Sequence, residues 1–141
     1  QIAQAILGTQ AMKGVEIGLG FEGARQQGHK VHDEIIYEED HFRRRTNRAG
    51  GIEGGMSTGM PIIIRGAMKP IPTMLTPIKT VDLYSHQEVD TRYERSDVCA
   101  LPRAVVVAES VIAPVIANAF LEKFGGDSIE EIGEHYSNFM Q

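Results

Sequence analysis

The stretch from Asn47 to Pro61 carries five glycines between Gly50 and Gly59, and this run limits the fold more than any other feature. No regular helix tolerates that density, because glycine loses more backbone freedom on ordering than any other residue. Two uses of such a run are physically distinct. Without Cβ atoms, backbone N–H groups can approach an anion or a flat ring. The same absence permits a tight chain crossing at positive φ. Composition leaves both open. A Walker-type phosphate loop is excluded, since no Gly-Lys-Ser/Thr closes the run.

The segments on either side set an α+β pattern. The chain begins at Gln1 directly in a helical pattern, with Ile2, Ala5, Ile6, Thr9 and Met12 on one face. A natural chain can be processed to such a start, and a start in mid-helix fits a portion of something longer at least as well. Val15 to Ile17 alternates as a short strand does. Residues 23–46 are polar apart from Ile35, Ile36 and Tyr37 and read as a mobile loop containing one short strand. Ile62 to Ile64 reads as a buried strand, and Val81 to Tyr84 as another. Between them Lys69-Pro-Ile-Pro-Thr73 is stiffened by its two prolines into an extended segment.

The late part of the chain is helical. Pro102 opens a helix whose apolar positions run through Val106, Val107, Val111, Val115, Ala119 and Phe120 to a stop at Gly125-Gly126. Pro114 is expected to kink or split it. The apolar stretch Ala104–Phe120 is interrupted by Glu109, Ser110, Pro114 and Asn118, which reads as a buried helix and not a membrane span. Ser128 and Glu131 stand in capping-box spacing ahead of a last helix expected to bury Ile129, Ile132, Tyr136 and Phe139.

At 141 residues the chain fits one domain with a real core. A formal charge of −5 argues against a nucleic-acid surface, although a local basic cluster can still hold an anionic small molecule. One cysteine, Cys99, cannot form an internal disulfide, which suits a reducing, cytoplasmic setting. Its apolar neighbours suggest a small buried residue.

Gly18-Leu-Gly20-Phe-Glu-Gly23 formally matches a dinucleotide fingerprint. The residues that follow offer no apolar helix face, so a plain glycine-rich turn is the better reading. Arg43, Arg44, Arg45 and Arg48 beside Glu38, Glu39 and Asp40 read as a self-compensating surface. The five histidines have neither the spacing nor the cysteines of a metal site, so no metal is expected. Lys69 and Thr73 on a stiff strand can hold a phosphate, or simply mark a proline-bearing edge strand. Arg95 can pair two-pronged with phosphate or carboxylate. Asp97 can cap the following helix, pair with Arg95 or handle a proton. The Arg–Asp pair is the simplest of these.

Taken in order, four stretches resemble the chorismate synthase family: Lys13-Gly-Val-Glu-Ile-Gly18, Thr46 through Pro61, Lys69 through Thr73, and Arg95-Ser-Asp-Val-Cys-Ala100. The resemblance covers nearly the whole chain. It implies the carboxy-terminal half of the family's β-α-β sandwich, and a single partial domain over 1–141. Family members run well over twice this length. The amino-terminal portion, with its two acid histidines and most substrate arginines, has no counterpart here.

The resemblance also implies a reaction, the anti-1,4-elimination that converts 5-enolpyruvylshikimate 3-phosphate to chorismate and phosphate. Reduced FMN is required without net redox change, and the cofactor carries the hard step. Family flavin contacts fall on Gln10 and Ala11, on Gly54, on Lys69, Pro70, Ile71, Pro72 and Thr73, and on Arg95. Asp97 matches the aspartate that assists proton handling at the flavin. Arg103 departs from the small residue of the family pattern. The family is a homotetramer of the shikimate pathway. This portion alone is expected to be inactive without the missing amino-terminal part. Two other readings remain, a non-catalytic flavin- or anion-binding module and an oligomer-assembly domain.

Overall fold

A computed structural model describes residues 1–94 and 98–140. Helix α1 (Ile2–Leu7) ends at Gly8, more than a turn short of the helix expected from its apolar spacing, because the chain turns at 8–11 and enters strand β1 (Met12–Ile17). Met12, expected on the helix face, is thus a strand residue. β1 pairs antiparallel with β6 (Ile64–Met68), in register from Met12 opposite Met68 to Ile17 opposite Ile64, with a bulge between Met12 and Gly14. The strand expected at Ile62–Ile64 therefore lies mostly further along the chain.

Residues 23–46 hold more structure than one strand. A short helix α2 (Phe21–Ala24) and a 3-10 turn at Gly28–Lys30 lead to a hairpin of β2 (Ile35–Glu38) and β3 (His41–Arg44). Its two-residue turn, Glu39 and Asp40, sits at φ 52° and 66°. That is the twist a tight hairpin needs, built here without glycine. β4 (Ile52–Glu53) and β5 (Met56–Ser57) form a smaller hairpin inside the glycine run. β7 (Lys79–Val81) pairs with β8 (Glu88–Asp90). The strand expected over Val81–Tyr84 stops at Val81. Asp82 turns the chain by accepting bonds from the Tyr84 and Ser85 amides and the Ser85 hydroxyl, which also hold its carboxyl below the usual range.

Helix α3 (Leu101–Phe124) has a proline in its first turn and stops at Gly125, φ 57°, as its sequence predicts. It is continuous through Pro114 and is not split there. Ala104, Ala108, Val111, Ile112 and Val115 recur at helical spacing along one face and, with Phe124, are the half-covered positions. That stripe faces α1 and the β1–β6 pair across open clefts of about 810 and 240 Å³. α4 (Ile129–Phe139) starts where predicted, with the Ser128 hydroxyl accepting the Glu131 amide at 3.1 Å. It packs on the end of α3 through Phe120, Phe124, Tyr136 and Phe139, whose rings lie 4.6 to 5.6 Å apart.

The four strand pairs are separate antiparallel ribbons among the described residues, and helices and ribbons together give the α+β character. The expected core is largely absent. Ile6 is the one buried apolar side chain among the described residues, at 2% exposure. The chain exposes 11292 Å². A compact protein of 15.5 kDa would expose about 7,200 Å² by size scaling. α3, predicted to be buried, is exposed along most of its surface, and Ile129, Tyr136 and Phe139 of α4 are exposed as well. By length and composition alone α3 could cross a membrane, a test that core helices of soluble proteins also pass. With one face already turned to a strand pair and a helix, it fits the apolar-all-round pattern of a helix enclosed in a larger protein. Cys99 is exposed, contrary to the buried position expected of it.

Candidate functional site

The glycine run resolves into two parts. In the first, three segments cross. The Gly18 amide donates to Ile63 O at 3.0 Å, the Leu19 amide to Arg48 O at 2.8 Å, and the Ile63 amide to Gly50 O at 3.1 Å. There is no room for side chains. A Cβ on Gly50 would stand 2.3 Å from the Gly18 nitrogen, and one on Gly51 2.5 Å from Pro61 O. This is the crossing reading, and it also settles Gly18 and Gly20 as a turn. Glu16 and Arg65 brace that turn. They pair at 3.0 Å, while Glu16 accepts the Phe21 amide and Arg65 donates to the carbonyls of Gly18 and Leu19.

The second part is the β4–β5 hairpin. Gly54 and Gly55, φ 57° and 80°, form its two-residue turn, and a Cβ on either would meet nothing within 4 Å. The turn therefore needs glycine for its backbone angles, while the space beside it stays open to a ring or an anion. The base of the loop is closed by Thr58 N–H to Gly51 O at 2.9 Å and by Asn47 Nδ2 to Pro61 O at 2.8 Å.

Gln10 and Ala11 lie in the turn after α1, not at the end of a helix. Ala11 is held at φ 66°, a left-handed conformation that costs a non-glycine residue about 1 kcal/mol or more. Its carbonyl accepts the Lys69 amide at 2.8 Å, so two of the predicted contacts meet at one junction. Lys69, Pro70 and Pro72 are exposed, and Ile71 and Thr73 are half-buried along an irregular, extended stretch. The junction caps the Met12/Met68 end of the β1–β6 pair, whereas the crossing that carries the Gly54 hairpin caps the Ile17/Ile64 end. The five residues of β6 between them span about 17 Å. Arg95 and Asp97 lie outside the described residues.

Asp33 was not singled out by sequence. Its carboxylate takes the Arg48 amide at 2.8 Å, the Ala49 amide at 2.9 Å, and the Thr46 hydroxyl. Partial burial, the largest influence, opposes its ionisation. The bonds from Ala49, Thr46 and Arg48, with the charge of Arg48, outweigh burial and hold the carboxyl below the usual range. In the basic cluster Arg43 pairs with Glu38 of the acidic run, as predicted, whereas Arg45 pairs with Glu34 outside it. Arg44 reaches Glu53 and ties the β2–β3 hairpin to β4. No group of three or more His, Cys, Asp or Glu among the described residues is placed to hold a metal ion. Neither cleft beside α3 is lined by a predicted contact residue. Both are gaps between apolar elements.

Comparison with known proteins covers the same ground. A family model described as chorismate synthase matches residues 1–121, which takes in every element except α4 and the end of α3. Chorismate synthase of Syntrophotalea carbinolica is 55% identical over 144 residues, covering 100% of this chain and 37% of that protein. Its counterpart in Brevibacillus brevis is 54% identical over 140 residues, covering 99% and 36%. A crystal structure of chorismate synthase superposes with a TM-score of 0.76 at 43% identity, covering 98% of this chain and 34% of that one. The chain thus spans little more than a third of the length of the curated relatives it matches, and corresponds to their carboxy-terminal part. With the crossing, the open glycine turn and the Ala11–Lys69 junction all inside the matched residues, the chain belongs to the chorismate synthase family.

Proposed function

We propose that this chain is the flavin-cradling part of a lyase that eliminates phosphate from 5-enolpyruvylshikimate 3-phosphate to give chorismate, in the shikimate pathway. What carries the reading is identity above 50% to curated chorismate synthases along essentially the whole chain. The residues present fit a flavin. The open space at the positive-φ Gly54-Gly55 turn suits a flat ring or a phosphate, and Lys69 supplies a cation beside a backbone already fixed by Ala11. Gln10, Ala11, Gly54, Lys69 to Thr73 and Arg95 would hold reduced FMN, and Asp97 would take or relay the proton. When bound, reduced FMN supplies electron density as phosphate departs. The protein's share is to hold that ring, balance the phosphate charge, and keep a carboxylate ready beside an arginine.

The remaining parts of the reading follow from the family. The two ends of β1–β6 each present some of the proposed contacts, and 1–141 is one partial domain of a cytoplasmic homotetramer. Its ribbons join a β-α-β sandwich only with the amino-terminal residues in place. The exposed apolar faces of α3 and α4 favour this over a free-standing module. They also give an assembly role some support, since such faces need a cover.

The test is an elimination assay with reduced FMN on the full-length protein carrying this chain, beside an FMN titration of residues 1–141 alone. Turnover is expected in the first and none in the second. Asp97→Asn in the full-length protein should lower turnover by roughly 100-fold or more while FMN still binds. Unchanged turnover would remove Asp97 from the chemistry, and no turnover by the full-length wild type would refute the lyase reading.

A further inference from the structure

Asp33 stands just ahead of β2, yet all three donors to its carboxylate come from residues 46–49, the stretch that leads into the glycine run. Oδ1 takes the Arg48 amide and the Thr46 hydroxyl, and Oδ2 takes the Ala49 amide, so both oxygens are engaged. Bonds to an ionised acceptor are about twice as strong as neutral ones. Gly50 follows at once, where the backbone has no slack. Its amide donates to Asn47 O at 3.2 Å, and its carbonyl accepts Ile63. The Gly54-Gly55 turn begins three residues beyond Gly51.

We propose that Asp33 is a positioning residue for the cofactor. By holding Thr46, Arg48 and Ala49 on one carboxylate, it fixes the backbone that presents the Gly54-Gly55 turn, so flavin affinity depends on a side chain with no flavin contact of its own. The proposal rests on the flavin reading above. It differs from a general structural role, because the carboxylate bonds only residues 46–49 and none in β1 or β6. The favoured ionisation of Asp33 agrees, since the clamp is charged at neutral pH.

The experiment compares wild type, Asp33→Ala and Asp33→Asn in the full-length protein by FMN fluorescence titration, amide hydrogen exchange and thermal midpoint. Asp33→Ala should weaken FMN roughly 10- to 100-fold, the range for losing bonds to a charged acceptor. Exchange should quicken over 46–59 and stay unchanged in β1 and β6. Asp33→Asn keeps one of the two acceptor oxygens and should fall between. If Asp33→Ala does not fold, Asp33→Asn decides by the same criteria. Unchanged affinity, or exchange that quickens equally in β1–β6 with a fall in midpoint, overturns the positioning role. Wild type that binds no FMN would refute the flavin reading instead. Exchange alone would then decide the clamp, supported by quickening confined to 46–59 and overturned by its absence.

Discussion

Gly50 and Gly54 are four residues apart in one run, and they are glycine for different reasons. Gly50 is buried where three backbones meet, and a Cβ there would strike another main chain at 2.3 Å. Gly54 sits on an exposed turn where a Cβ would meet nothing within 4 Å, and only its φ of 57° asks for glycine. One is fixed by packing inside the molecule. The other leaves a space that the molecule does not fill. A residue type therefore carries little meaning until the surroundings of its missing side chain are known.

Substitution at the two positions tests the contrast directly. Gly50→Ala should lose more than about 4 kcal/mol of stability, since neither backbone at the crossing can step aside. Thermal unfolding and soluble yield measure it. Gly54→Ala should cost only about 1 kcal/mol, the price of a left-handed alanine, while FMN affinity falls about tenfold as the methyl occupies the open space. Equal stability losses at both sites would erase the distinction.

Lys69→Ala sharpens the comparison from the other end of β1–β6. It should raise the dissociation constant for FMN about tenfold and leave turnover at saturating FMN within about threefold, because a point charge on a bound anion contributes about 1–2 kcal/mol. The reverse pattern would assign Lys69 to the substrate. The smallest effect is acid-dependent. Asp33 is held below its ordinary value of about 3.9, so the unfolded chain takes up its proton more readily than the folded one. Its contribution is complete at neutral pH and shrinks as pH falls below that value through the folded pKa. Protection of the Arg48 and Ala49 amides, taken relative to the intrinsic exchange rate at each pH, should therefore hold through mildly acidic pH and be lost only below the ordinary carboxylate range, with no matching step in β1 or β6. Arg48 and Arg44 are the charges facing that carboxylate.

Local features were legible in the sequence. The start of α3 one residue ahead of Pro102, its stop at Gly125, and the Ser128–Glu131 cap of α4 all depend on residues within a turn of each other. The two larger hairpins were not, because Glu39, Asp40 and His86 adopt positive φ without the Asn-Gly signal that announces such turns. The apolar spacing carries helix α1 too far for a related reason. Ala11 turns left-handed although alanine is the best helix former, and its bond to Lys69 decides the matter. Asp33 was invisible since its partners lie 13 to 16 residues along the chain. The four ordered motifs carried the family. The core was misjudged because periodicity tells which face of a helix is apolar, not what covers it. On α3 and α4 that face is covered only in part.

The crossing has a kinetic side as well. Arg65 reaches the carbonyls of Gly18 and Leu19 from 47 and 46 positions away, whereas α3 and α4 close their bonds between neighbours. Joining remote segments loses chain entropy before any contact compensates for it. The helices should accordingly form early and the crossing late. Arg65→Lys should then speed unfolding in stopped-flow traces and leave refolding nearly untouched; slowed refolding would put the crossing in the folding nucleus. Until it closes, the newly made chain has helices but no glycine loop, and its site is the last thing to be finished.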